Sequence, residues 1–240
     1  MLMIYLLYIL MEFKNMSSFV LKIIACITMI CDHLGYLFYK GKLSFFNYIG
    51  RIAFPIFAFQ ISEGYIHTKN LKKYIIRLFI FAIISQYPFM IFHNLISNEL
   101  ALNIFFTLLI GLISIIIYDK LQCKPLALII DLLLAYLAEF TNCDYGSYGV
   151  LIILLFYIFR NNKLLMTLTF SLCTIINYGI KIYKYGLFQI YSLLCIFTIL
   201  PIFIINLYNK KQGKKVKYFL YIFYPAHLLI IYILWNIIYI

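Results

Sequence analysis

Acidic residues are scarce in this 240-residue chain: 8 Asp and Glu stand against 20 Lys and Arg, for a formal net charge of +12. On a soluble protein that balance points to nucleic acid. Here most of the lysines sit in short loops between apolar stretches, so orientation in a membrane accounts for them and no nucleic-acid partner is expected. Soluble catalytic signatures are missing too: no GxSxG, no HExxH, no phosphate-binding glycine loop and no dinucleotide fingerprint. The six cysteines (Cys26, Cys31, Cys123, Cys143, Cys173 and Cys195) form no CxxC pair or Cys/His ligand spacing, and the four histidines are scattered, so no metal centre is expected. There is no repeat of fixed period and no linker long enough to separate folding units. This leaves a single domain over residues 19–240 behind an apolar extension at 1–18. Residues 1–11 are too short to span a bilayer and lack a basic n-region and an A-x-A site, so no signal peptide is expected. They read as an interfacial anchor, or as a start-site extension with Met11 or Met16 as the true start.

What fills the chain is apolar. It is 65% hydrophobic and 20% aromatic, with a mean hydropathy of +0.99, against about 45–50% apolar residues in a soluble domain. No strand-length alternation is visible, so the expectation is an all-α polytopic transmembrane bundle in which helices close their own backbone hydrogen bonds. Nine apolar stretches are long enough to be candidate spans: 19–39, 44–65, 71–93, 101–118, 125–141, 145–160, 163–180, 185–207 and 217–239. The fifth to seventh are near the short limit, which makes the expected count eight or nine.

Lys and Arg alternate between the connections. Those after the even spans carry Lys69, Lys72 and Lys73; Lys120 and Lys124; Arg160 and Lys163; and Lys210, Lys211, Lys214, Lys215 and Lys217. Those after the odd spans carry Lys40, Lys42, Lys181 and Lys184. The first set is expected to face the cytoplasm, with the N-terminus inside and the chain in a bacterial-type cell (inner) membrane.

Against this background the ionisable groups within spans stand out. Asp32 and His33 lie about 13 residues into the first span, in the outer half of a core about 30 Å thick. A charge there is costly unless it meets a partner or a watery cavity, so each is a candidate functional group. Arg51 enters from the same outer side, Asn103 begins the fourth span there, and Glu139 and Asp144 flank the next outer connection. Together they predict an outward-facing polar cavity. A second set, Glu63, His67, Lys72, Lys73 and Arg77, gathers at the inner level and reads either as snorkelling helix ends or as a phosphate site. His227 follows Pro225 in the last span and is a further candidate, as an interhelical donor or as part of a site. Asp131 lies about a third of the way into the fifth span.

Adjacent helical residues point about 100° apart. Asp32 and His33 therefore do not face one partner together. Either Asp32 contacts a neighbouring helix, with Arg51 the preferred counter-ion, or it bends back to His33. His33 is the general-base candidate, because burial favours the neutral imidazole that accepts a proton.

Seven stretches in series carry a resemblance: KIIA at 22–25 with MICDHLG at 29–35; IGRIAFPIFAF at 49–59 with Glu63 and Gly64; HTKN at 67–70 with KYIIR at 73–77; ISQYPF at 84–89; NIFFT at 103–107; DYGSYG at 144–149; and YFLYIFYPAHL at 218–228. In this order they resemble the TraX family of membrane proteins over about residues 20–240. That family's named member acetylates the N-terminus of a conjugative pilin, and the family is similar to membrane acyltransferases that draw on cytosolic acetyl-CoA. The resemblance implies an acetyltransferase with acetyl-CoA as co-substrate and an extracytoplasmic peptide amine or glycan hydroxyl as acceptor. It implies that His33 deprotonates the acceptor or is itself transiently acetylated. Asp32 would support the site, Arg51 and Asn103 would orient oxygen atoms, and Asp144 would line the acceptor entrance. Arg77, Lys73, Lys72, His67 and Glu63 would form the donor site. A transporter or flippase using Asp32, Arg51 and Glu63 as a charge relay, and a non-catalytic assembly factor for a surface appendage, remain as alternatives.

Overall fold

Each apolar stretch becomes a helix because no water inside a bilayer can satisfy its backbone, and capping residues set where the helices begin. In a computed structural model, the structure describes residues 16–39, 43–97, 99–214 and 218–239. The extension at 1–11 and the loop lysines Lys40, Lys42, Lys215 and Lys217 lie outside the described residues. The helices are α1 (Ser18–Phe38), α2 (Phe45–Gly50), α3 (Ala53–His67), α4 (Leu71–His93), α5 (Ile104–Lys120), α6 (Lys124–Phe140), α7 (Gly146–Ile158), α8 (Lys163–Tyr185), α9 (Phe188–Ile199), α10 (Pro201–Asn206) and α11 (Phe219–Tyr239). Asparagine side chains cap three of them: Asn70 accepts from Lys73 N, Asn103 from Phe105 N, and Asn162 from Leu165 N. The described residues contain no β-strand, only isolated bridges between Met16 and Tyr208 and between Leu102 and Cys143.

The all-α expectation is met, and each of the nine predicted stretches contains a helix or a pair of helices. Among the described residues, five helical segments are long and apolar enough to cross a membrane by length and composition: Ser18–Phe38, Leu71–His93, Lys163–Tyr185, Phe188–Asn206 and Phe219–Tyr239. The protein is thus a multi-pass membrane protein. The prolines act differently from one another. Pro55 lies in the first turn of α3, where its missing N–H costs nothing, and the second stretch breaks just before it, at Arg51 and Ile52. Pro88 and Pro225 sit inside continuous helices. Pro201 opens α10 and divides the eighth stretch.

Apolar short helix α7 is the axis of the bundle, packed against α3, α5, α6 and α8. Its residues Val150, Ile152, Ile153 and Phe156 are fully buried. Peripheral helices turn their leucines and isoleucines outward. On α6 the buried face is small, Ala127, Asp131, Ala135 and Ala138, while Leu128, Ile129, Leu132 and Leu133 are exposed. Small residues let helix backbones approach where lipid supplies no hydrophobic drive. The exposed apolar belt is the lipid face. The element order places the N-terminus of α1, the α3–α4 turn, the α5–α6 turn and the 208–214 segment at one end of the bundle, which is rich in lysine. The opposite end holds α2, the loop before α5 and the α6–α7 connection.

Candidate functional site

Two cavities enter the bundle from these two ends. The one at the lysine-rich end has a volume of about 480 Å³ and is lined by Lys22, Lys69, Lys73, Arg77, Lys214 and His67, with Glu63 as the only carboxylate on its wall among the described residues. The other has a volume of about 400 Å³ and is lined by Asp32, His33, Tyr36, Arg51, His93, Glu99, Asp144 and Tyr145. Both fall in the range of small-molecule sites, about 300–1,000 Å³. Met29, Phe57, Ile104 and Tyr224 belong to both linings, so the cavities adjoin across a largely apolar neck formed by these side chains. His33 lies one helical turn beyond Met29, on the side of the second cavity.

In the second cavity, Arg51 Nη2 donates to both carboxylate oxygens of Asp32 at 2.8 Å. Asn47, one turn before Arg51, donates from Nδ2 to the Asp32 backbone carbonyl at 2.9 Å and to Oδ1 at 3.1 Å. Short helix α2 can lie this close to α1 because position 50 is glycine: a Cβ there would run into the Asp32 side chain. The Asp32–Arg51 pairing preferred from the sequence is therefore the one formed. Asp144 follows the end of α6 and also lines the cavity; its backbone carbonyl accepts from Thr107 Oγ1. Burial pushes the Asp144 carboxyl up to about 6, against the pull of the Arg51 guanidinium and with a further push from Asp32.

His33 turns the other way. Its Nδ1 lies 2.9 Å from Nε2 of His227 on α11. Phe92 packs edge-on against the His33 ring at 4.8 Å. His227 Nδ1 lies 2.9 Å from the carbonyl of Phe223. The remaining nitrogen of His33, Nε2, has no hydrogen-bond partner among the described residues, and the side chain lines the cavity.

The other expected residues divide. Asn103 is fully buried and turned away: it caps α5, and its Nδ2 donates to the Ala82 carbonyl at 2.7 Å and to Gln86 Oε1 at 2.8 Å. It is absent from the cavity lining, whereas Arg51, expected beside it, is part of that lining. Glu139 is likewise spent, accepting from Ser147 N and Oγ at 2.8 Å. At the lysine-rich end, Arg77 lies 5.5 Å from the centre of the Tyr74 ring and 5.4 Å from that of Tyr221, and its buried Nε has no partner among the described residues. His67 Nε2 is 3.4 Å from Glu63 Oε2. Lys72 is exposed and outside the lining. Sequence reasoning missed the His33–His227 contact, Asn47, and the lining residues His93 and Glu99. Asn47 alone had a local signal, its position one helical turn from Arg51.

The chain is 28% identical to the probable fimbrial assembly protein FimC, serogroup H1, of Dichelobacter nodosus over 230 residues, covering 89% of this chain and 93% of that protein. No solved structure matches the chain. Residues 17–235, which span both cavities and every motif of the site, match the TraX protein family. A match over almost the whole length leads to one identification: this chain belongs to the TraX protein family.

Proposed function

We propose that the protein is an acetyltransferase that moves an acetyl group from acetyl-CoA, held in the lysine-rich cavity, to an amine or hydroxyl acceptor held in the other. The observation that carries this reading is the neck. A donor cavity of cations and an acceptor cavity containing an unengaged imidazole nitrogen, entered from opposite ends of one bundle, adjoin across four largely apolar side chains. The cationic wall of Lys22, Lys69, Lys73, Lys214 and Arg77 suits the phosphates of the donor, with the Arg77 guanidinium pre-oriented between two tyrosine rings. By the distribution of positive charge, that end faces the cytoplasm of a bacterial-type inner membrane, where acetyl-CoA is available.

In the reaction, His33 Nε2 takes the proton from the acceptor N–H or O–H as the acceptor atom attacks the thioester carbonyl. The C–S bond then breaks, and the departing thiolate receives the proton from the His33 imidazolium, returning the base to its starting state. Arg51, held by Asp32 on the wall of the same cavity, is the cation that would steady the developing oxyanion. The relative from Dichelobacter nodosus is named for fimbrial assembly, which supports a subunit of a surface appendage as the acceptor, with a surface glycan as the second candidate. A transporter would also use a path joining both ends, but it would leave no covalent product. Purified protein in liposomes is expected to transfer label from acetyl-CoA to an acceptor peptide or glycan, and His33→Ala to lose about a hundredfold or more of that rate. Parental transfer by a folded His33→Ala protein would overturn the assignment.

A further inference from the structure

Resting on that reading, we infer that His227 is a positioning residue. It holds His33 in the Nδ1–H tautomer so that the Nε2 lone pair faces the acceptor cavity. The argument is one of proton counting. A backbone carbonyl only accepts, so the 2.9 Å contact between His227 Nδ1 and the Phe223 carbonyl fixes a proton on that nitrogen. In a neutral imidazole the other nitrogen is then bare, and His227 Nε2 is an acceptor. Its 2.9 Å contact with His33 Nδ1 is a hydrogen bond only if His33 Nδ1 carries the proton. That leaves His33 Nε2 unprotonated. A free histidine in water favours the opposite tautomer, with the proton on Nε2, which could not serve as a base. The pairing therefore selects the form the chemistry needs.

Packing fixes the ring planes as well. Phe223 stacks on His227 at 4.9 Å with 10° between the rings, and His227 lies edge to edge with His33, their centroids 5.0 Å apart and their planes within 25°, the arrangement an in-plane N–H···N bond requires. His227 is buried and lines neither cavity, so it acts through His33 rather than on substrate. In serine hydrolases a carboxylate orients the histidine; here a neutral imidazole does so, adding no further charge at a depth where charges are expensive. When His33 takes the acceptor proton, its Nδ1–H remains directed at His227, whose own N–H is polarised by the Phe223 carbonyl.

The test uses the full chain in detergent and in liposomes, with three substitutions. His227→Leu removes the acceptor. His227→Gln keeps a carbonyl oxygen near the place of Nε2 and is the rescue. His33→Ala identifies the ring signals. Ring ¹⁵N spectra of histidine-labelled protein are expected to show His33 protonated on Nδ1 in the parent and in His227→Gln, and mixed or protonated on Nε2 in His227→Leu. The kcat of His227→Leu is expected to fall about a hundredfold with KM little changed, and His227→Gln to recover most of it. Parental kcat in His227→Leu, or a His33 tautomer unmoved by that substitution, would overturn the inference. The tautomer readout needs no acyl donor, so it decides the inference even if acetyl transfer itself fails.

Discussion

Asp32 and His33 are neighbours in the chain with opposite duties. The helix turns them about 100° apart, and each found a partner on a different element: Asp32 on α2 and Arg51, His33 on α11. Removing one member of the Asp32–Arg51 pair leaves the other charge buried and uncompensated, a loss of about 3–5 kcal/mol. Asp32→Asn is therefore expected to lower the melting temperature in detergent sharply and to abolish transfer with it. A double substitution, Asp32→Asn with Arg51→Met, is expected to regain much of the stability but none of the activity. An Asp32→Asn protein as stable as the parent would show that the pair does not hold α1 to α2. The Asp32–Arg51 contact was legible because two opposite charges entered the same level from consecutive spans. The His33–His227 contact joins residues 194 apart in sequence. Nothing local relates those positions, and only the packing of α11 against α1 and α4 brings them together.

Elements account for most of what the sequence reading had to give up. Asn103 lay at the right level to join the cavity, but it also lay at the start of a helix, where asparagine is a favoured cap. The cap took precedence: its Oδ1 accepts from Phe105 N at 3.0 Å, and its amide ties α5 to α4 through Gln86 and Ala82. Asn103→Ala is expected to cost about 0.5–2 kcal/mol in stability, read by thermal unfolding, with kcat per folded molecule close to parental. A large fall in kcat with unchanged stability would return Asn103 to the reaction. The prolines show the same limit. A proline marks a missing donor, but whether the hydrogen-bond ladder is interrupted, as at Pro201, or the helix is read straight through, as at Pro88 and Pro225, depends on the helices packed around it.

At the scale of the whole molecule, the alternation of more and less basic connections is legible in the sequence because charge in loops is set by the membrane, not by tertiary packing. The fold class followed from hydropathy for the same reason. The cavities were not legible as volumes. Their opposed positions were, because Asp32, His33, Arg51 and Asp144 fell at one level and Glu63, His67, Lys73 and Arg77 at the other, and these residues do line the two separate walls. The neck of Met29, Phe57, Ile104 and Tyr224 could not be inferred, since its members are apolar residues in apolar spans with no pattern to distinguish them.

On the proposed function the protein would take its donor from one face and its acceptor from the other, and that is the claim to test most directly. The protein is reconstituted into sealed liposomes in one known orientation, with labelled acetyl-CoA supplied on a single side and acceptor on the other. The account predicts covalent label on the acceptor when acetyl-CoA meets the lysine-rich end, little when it meets the opposite end, and loss of the product with His33→Ala. Label appearing equally from either side, or acceptor movement across the membrane with no covalent product, would contradict it.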